Sequence, residues 1–193
     1  MFQSFLDKWT LMVHDKKWWK WVLRVIADIR LYWGGLVLFG PSSYQIKGPH
    51  MREILNILKP GDVLLRRYSH YVGSRMVPGF WSHAAVYVGN NDVIHMLGKG
   101  AAKEDILTFM RCDGIKILRF KEKPIIEKAV EKANNFYEKN TDYDYGFIQG
   151  DEQLYCSELI YVIFDKPEDV KYENYILPDN LICDCFEEIW EKK

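Results

Sequence analysis

Two apolar runs flank a turn-forming Gly-Asn-Asn-Asp sequence in the stretch WSHAAVYVGNNDVIHM, from Trp81 to Met96. Short apolar runs on either side of residues that tolerate positive φ are typical of a β-hairpin. The same kind of run predicts a strand in GIKILRF, from Gly114 to Phe120, and the start of another in DVLLRR. The pattern therefore predicts four strands, two of which form one hairpin.

Helical patterns occupy the segments between and after these strands. MREILNILKP predicts a short helix that ends at the Lys59-Pro60-Gly61 turn, and KPIIEKAVEKANNFYEKN has helical spacing from Pro124 onward. YCSELIYVIF is an apolar run long enough for a buried helix. The turn-rich stretch from Gly40 to Pro49 separates these elements from the N-terminal residues, and we place a boundary there.

The N-terminal segment, residues 1–49, differs from the rest because five of the seven Trp lie in its first forty residues, mixed with Lys. Its apolar residues follow helical spacing and predict an amphipathic helical extension: Trp18, Val22, Val25, Ile29 and Trp33. Such a helix could dock on the protein's own core, lie on a membrane surface, or form a partner surface. The second domain, residues 50–193, holds all the predicted strands.

Composition narrows the partner classes and the compartment. The 26 basic and 27 acidic residues leave a net charge of -1, so we expect no nucleic-acid partner. Four cysteines without a C-x-x-C pair favour reduced thiols over a disulfide framework. Charges interrupt the N-terminus where a secretory signal would be apolar, and the longest uncharged stretch is too short to span a membrane. We therefore expect a cytoplasmic protein, with any membrane association made by the N-terminal helix.

His83 and His95 lie one on each arm of the predicted hairpin. A histidine on an apolar strand is usually an ordinary core or surface residue. Two histidines on one face of a hairpin, however, can act together. Strand side chains alternate faces, so a two-residue Asn90-Asn91 turn puts the two rings on opposite faces. A turn centred near Gly89, a loop of odd length or a bulge puts them side by side. One imidazole can then act as a base while the second orients it.

Cys156 stands in LYCSEL, at the start of the predicted buried helix. Unpaired N–H groups and the helix dipole favour a thiolate there, and a neighbouring imidazolium favours it further. Cys156 would then be a nucleophile activated by His83. Two other interpretations remain: an inert buried cysteine, and a zinc site made by His83, His95 and Cys156 from three separate elements.

These residues resemble a known family. WSHAAVYVGNNDVIHM is similar to the His strand of the NlpC/P60 papain-like hydrolases, which carries the base and, twelve residues later, a polar orienting residue. YDYGFIQGDEQLYCSELIYVIF resembles the segment that presents their nucleophilic Cys at the head of a buried helix. His83, His95 and Cys156 match the base, the orienting residue and the nucleophile.

The chain order points to one branch of that family. The Cys follows both histidines, and this order, with LKPGDVLL and YCSEL, resembles the circularly permuted YiiX/YaeF-type papain-like amidases between Ile57 and Phe164. The lecithin:retinol acyltransferase-like branch has a similar His hairpin but an Asn-Cys-Glu-His-Phe nucleophile motif. The resemblance implies an α+β fold, in which a small antiparallel sheet or half barrel packs on the helix that carries the Cys.

The resemblance also implies roles for the matched residues. Cys156 would attack a carbonyl carbon, His83 would take and return the proton, and His95 would orient His83, with no metal or other cofactor. Backbone N–H groups at Cys156 would hold the oxyanion, and Tyr143 and Tyr155 are candidates to assist them. The implied activity is hydrolysis of an amide in a small peptide or amide-linked substrate. Acyl transfer or lipid acyl hydrolysis at a membrane, and a non-catalytic binding module, are the alternatives.

Overall fold

The computed structural model describes residues 44–69, 71, 74, 77–150 and 152–193. The predicted amphipathic helix with its stripe from Trp18 to Trp33 lies outside the described residues, so it stays a prediction. The described chain is already attached to the domain at Ile46, which is buried and whose N–H donates to the carbonyl of Cys112 at 3.1 Å.

Five helices and eight strands follow one another along the described residues. They are α1 Gly48–Ile57, β1 Val63–Arg67, β2 His83–Gly89, β3 Asp92–Leu97, β4 Gly100–Asp105, α2 Ile106–Phe109, β5 Gly114–Phe120, α3 Lys123–Glu138, β6 Asp142–Tyr143, β7 Gln153–Leu154, α4 Cys156–Ile163, a 3₁₀ helix Pro178–Leu181 and β8 Phe186–Lys192. The hairpin, the strands β1 and β5, and the helices α1, α3 and α4 confirm the sequence predictions, whereas β4, α2 and β8 were not predicted.

Six strands form one sheet in the order β4-β3-β2-β1-β5-β8, and every neighbouring pair is antiparallel. The sheet is open rather than closed into a barrel. A separate two-stranded parallel pair joins β6 to β7 just before α4. This combination of helices and an antiparallel sheet confirms the predicted α+β fold. The hairpin of β2 and β3 lies near the centre of the sheet.

The central strands of the sheet, β1, β2, β3 and β5, are largely buried on both faces, which explains why they read as continuous apolar runs. One face packs against α3 and α4 through alternate residues of the central strands: Val63, Leu65, Ala84, Val86, Ile94 and Met96. The opposite face packs against α1 and α2 through the residues between them, among them Leu64, Ala85 and Val93. We call these the α4 face and the α2 face.

Helix α4 is held against the sheet by its apolar side. Leu159, Ile160 and Ile163 are fully buried in the core on the α4 face. Burying side chains of this size contributes about 1.5–3 kcal/mol each. Because this packing fixes the helix, it also fixes the position of its first residue, Cys156.

Candidate active site

The hairpin between β2 and β3 turns at Asn90 and Asn91, which have φ values of 54° and 64°. A two-residue turn of this kind alone would place the two histidines on opposite faces. The register instead shifts between Tyr87 and Gly89, which leaves Val88 as an extra residue on β2. A β-bulge of one residue reverses the alternation of faces, and it is the device that brings the histidines to one face.

Beyond the bulge, Ala85 is opposite His95, so His83 and His95 are diagonal neighbours on the α2 face. His83 Nε2 lies 3.0 Å from His95 Nδ1, and the two rings are nearly perpendicular at 70°. The ring of Phe109 packs against both imidazoles. The bulge and the phenyl ring together hold the histidines in hydrogen-bonding contact.

His95 is fully buried, and its environment keeps it neutral. Burial lowers the pKa of His95 well below the ordinary value of 6.5, and the neighbouring Arg66 guanidinium lowers it further. A neutral imidazole carries one proton, so one of its ring nitrogens accepts and the other donates. His95 can therefore accept a hydrogen bond from His83, as an orienting residue must.

A charged pair that the sequence analysis did not identify lies next to His95. Arg66 Nη1 donates to Glu104 Oε2 at 3.2 Å, and that same carboxylate oxygen lies 3.9 Å from His95 Nε2. Arg66 is nearly buried, and its guanidinium lies over the Phe109 ring at 4.1 Å. No local motif signals this cluster, because its members come from β1, β3 and β4.

Cys156 is the first residue of α4 and lies against the strand that carries His83. Its thiol is hydrogen-bonded by the backbone of Ala84, the residue after His83. Ala84 belongs to the α4 face, whereas His83 faces the α2 side, where Phe109 lies. His83 is also the first residue of β2, so its side chain stands at the end of the strand. Direct contact between His83 and Cys156 around this strand end stays a prediction.

The thiol of Cys156 is covered, with only 9 % of the residue exposed. Burial raises its pKa, and hydrogen bonds from Ala84 and Ser157 oppose that rise without overcoming it. The expectation of a thiolate stabilised at rest is therefore wrong for this arrangement, because exclusion of water outweighs the helix N-terminus. Two cavities of about 450 and 250 Å³ border α4 on its outer side, and Cys156 lines neither.

The two tyrosines differ in their surroundings. Burial, followed by the nearby Cys156, raises the pKa of Tyr143 well above its usual value, so this phenol lies close to the thiol. The hydroxyl of Tyr155 instead accepts the backbone N–H of Ile176 at 2.9 Å. Tyr145, next to Tyr143 in sequence, donates to the carbonyl of Gly98 at 2.7 Å. Of the two candidates, Tyr143 is the better placed to reach a group bound at Cys156.

Residues 176–179, which we call the bridging segment, bond to both halves of the site. Ile176 binds the residues on either side of Cys156, through the Tyr155 hydroxyl and through the Ser157 hydroxyl, which donates to its carbonyl at 2.6 Å. The carboxylate of Asp179 accepts two backbone N–H groups just before His83, at 3.1 and 2.8 Å, from Phe80 and Trp81. The segment thus connects the surroundings of Cys156 to the approach to His83.

The buried, neutral His95 predicts a pH-dependent loss of stability. Its folded-state pKa lies below the ordinary value of 6.5, so on acidification the unfolded chain binds this proton first. Stability contributed at neutral pH is therefore lost as the pH falls below about 6.5. Between pH 6.5 and 5.5 we expect the free energy of urea unfolding to fall about 1 kcal/mol more in the wild type than in His95→Gln. Parallel pH curves for the two proteins would contradict a neutral His95.

In the part of the chain that the structure describes, no helix has both the length and the apolarity to cross a membrane. Within that same part, no group of three or more His, Cys, Asp or Glu side chains is arranged to hold a metal ion. Comparison with protein families gave a match over residues 57–191 to the permuted papain-like amidase enzymes described as the YaeF/YiiX, C92 family. No curated protein and no solved structure matched the chain.

Proposed function

The chain belongs to the permuted papain-like amidase family, and from that premise we propose that it is a cysteine amidase that uses Cys156, His83 and His95. Membership of this family implies hydrolase activity. The finer proposal is that the enzyme cleaves the amide bond of a small peptide or amide-linked substrate. The observation that carries it is the 3.0 Å contact between His83 Nε2 and His95 Nδ1 beside a strand end that abuts the Cys156 thiol.

The proposed reaction follows from the two ring nitrogens of His83. Its Nε2 is engaged by His95, so Nδ1 is the nitrogen that takes the proton from Cys156. The sulfur then bonds to the substrate carbonyl carbon, and His83 returns the proton to nitrogen as the C–N bond breaks and the amine leaves. Water, deprotonated by His83, attacks the resulting thioester and releases the acid and the thiol.

The raised pKa of Cys156 supports a particular timing for the first proton transfer. At rest the sulfur is a neutral thiol, so we propose that His83 takes its proton as the sulfur attacks, rather than forming a stable ion pair beforehand. Substrate binding would displace the covering residues and bring thiol, imidazole and carbonyl together. Catalysis would then start from a neutral Cys156 thiol and a neutral His83 imidazole.

The developing negative charge on the carbonyl oxygen needs donors. We propose the backbone N–H of Cys156, at the start of α4, as the first of these. Tyr143 is the second, because its phenol lies near the thiol and burial keeps it protonated. Tyr155 supports the site by binding Ile176 rather than by contacting the substrate.

The test uses the full-length protein and a panel of aminoacyl and short-peptide 4-nitroanilides. We expect hydrolysis by the wild type and by the matched control Cys183→Ala, and none by Cys156→Ala. Incubation with a peptide chloromethyl ketone should add one label, located on Cys156 by peptide mass spectrometry. Hydrolysis by Cys156→Ala would overturn the proposal. Turnover confined to acyl lipids in vesicles, or partner binding without any hydrolysis, would overturn the assignment as an amidase.

A further inference from the structure

We propose that Glu104, held in place by Arg66, is a positioning residue that sets the tautomer of His95 and, through it, that of His83. This inference rests on the proposed role of His83 as the base. It adds to the site a residue that touches neither substrate nor nucleophile and acts only through the histidine pair. The geometry that carries it is the line from His83 Nε2 through His95 to the Glu104 carboxylate.

The contact between the two histidines admits two arrangements when both are neutral. In the productive one, His83 donates from Nε2 to His95 Nδ1, which leaves His83 Nδ1 able to accept a proton and puts the proton of His95 on Nε2. In the reverse one, His95 donates from Nδ1, and the proton of His83 lies on Nδ1, where it blocks the base. The two arrangements contain the same number of protons, so only the surroundings of the pair can select between them.

Glu104 is placed to make that selection. Its Oε2 lies 3.9 Å from His95 Nε2, an atom with no hydrogen-bond partner among the described residues. That distance is too long for a hydrogen bond, so the effect is one of charge. A carboxylate facing Nε2 attracts an N–H and repels a lone pair. Because His95 is fully buried, water screens this interaction weakly.

Arg66 complements the carboxylate in two ways. Its guanidinium holds Glu104 at 3.2 Å and also donates to the carbonyl of Phe109 at 3.4 Å, which fixes both side chains on the α2 face. Its positive charge opposes a second proton on His95. Within the described ranges, the ionisable groups facing His95 are thus Arg66 from β1, His83 from β2 and Glu104 from β4.

Two further groups face Arg66 rather than His95, and both stay neutral near pH 7. Burial raises the pKa of Tyr68 and the pKa of Cys112 to about 12. Among the residues that the structure describes, the charges next to the histidine pair are therefore those of Arg66 and Glu104. With His95 held neutral, the position of its proton is the property that Glu104 controls.

The experiment reads the His95 tautomer directly by two-bond ¹H–¹⁵N correlation NMR on full-length ¹⁵N-labelled protein, with the resonances identified from His95→Gln. We expect the Nε2–H form in the wild type and in Glu127→Gln, an exposed control on α3. Glu104→Gln should raise the fraction of the Nδ1–H form, and Glu104→Asp, which keeps the charge, should restore most of the Nε2–H form. An unchanged tautomer in folded Glu104→Gln would overturn the inference. If that variant does not fold, a mainly Nδ1–H tautomer in the wild type or in Glu104→Asp would overturn it.

Kinetics on the same variants supply the second readout. We expect Glu104→Gln to lower kcat about tenfold with KM unchanged, because the wrong tautomer disables the base without altering binding. A purely structural role for Glu104 would lower the melting temperature and leave the tautomer as it is, which would also overturn the inference. The tautomer is measured without substrate, so it remains interpretable even if Cys156→Ala keeps full activity and the proposed function fails.

Discussion

Replacing His83 with alanine is expected to lower kcat/KM for amide hydrolysis by about 10³–10⁴-fold, the upper part of the range of general acid–base catalysis. In the proposed mechanism His83 both removes the thiol proton and returns one to the leaving amine, so its loss would affect the formation and the breakdown of the tetrahedral intermediate. His95 only orients His83, and we expect His95→Ala to cost about 10–100-fold, as supporting residues commonly do. Steady-state kinetics on the two variants measure the difference.

His50→Ala is the matched control for these two variants. His50 lies on α1, where Nδ1 accepts the backbone N–H of Lys47 at 3.1 Å and Nε2 lies 3.2 Å from the Lys192 ammonium. We expect its replacement to leave kcat/KM within about twofold of the wild type, since surface substitutions of this kind have small effects. A loss at His95 equal to or larger than the loss at His83 would reverse the roles proposed for the pair.

Deleting Tyr87 together with Val88 is expected to lower activity at least as far as replacing His95, by about 10²-fold or more, without altering any of the proposed catalytic residues. The double deletion removes the bulge and one paired residue, so regular pairing across the Asn90-Asn91 turn would place Ala84 opposite His95 and move the two histidines to opposite faces. His83 would then lose its orienting partner. Hydrolysis is assayed on protein whose folding is checked by circular dichroism.

Two companion variants test whether the count of residues, rather than the side chain, is responsible. Val88→Ala keeps the bulge and should retain activity within a few-fold of the wild type. Deleting Val88 alone also removes the bulge, but regular pairing then still places Ala85 opposite His95, so this variant should keep activity within a few-fold of the wild type. Full activity in the double deletion, or an equally large loss in the deletion of Val88 alone, would contradict the importance of the residue count.

The sequence predicted the elements that carry the candidate residues because their local patterns are strong. The hairpin has a clear turn signal at Asn90-Asn91, and α4 begins where the apolar run after Tyr155 begins. Strand β8 was not predicted because FEEIWEK is mostly polar, and only its pairing with β5 at the sheet edge makes it a strand. The sequence pattern was therefore sufficient to predict the elements whose buried residues recur at helix or strand spacing.

The details of the site depended on contacts that no local pattern contains. The face on which His83 and His95 lie was left open by the sequence, because a bulge at Val88 has no distinctive residue type. Arg66 and Glu104 meet across 38 residues of chain. The pKa of Cys156 was predicted in the wrong direction, because a helix N-terminus is visible in the sequence whereas the burial that opposes it is not.

The bridging segment has a consequence for the order in which the nascent chain can become active. The hairpin with both histidines is synthesised before Cys156, but residues 176–179, which bond to the surroundings of Cys156 and of His83, come after it. At about 5–20 residues per second, seconds pass between translation of the thiol and completion of the segment that joins the two parts of the site. Cys156 is therefore synthesised before the contacts that connect its surroundings to the approach to His83, and the candidate site is complete only after residue 179 has been added.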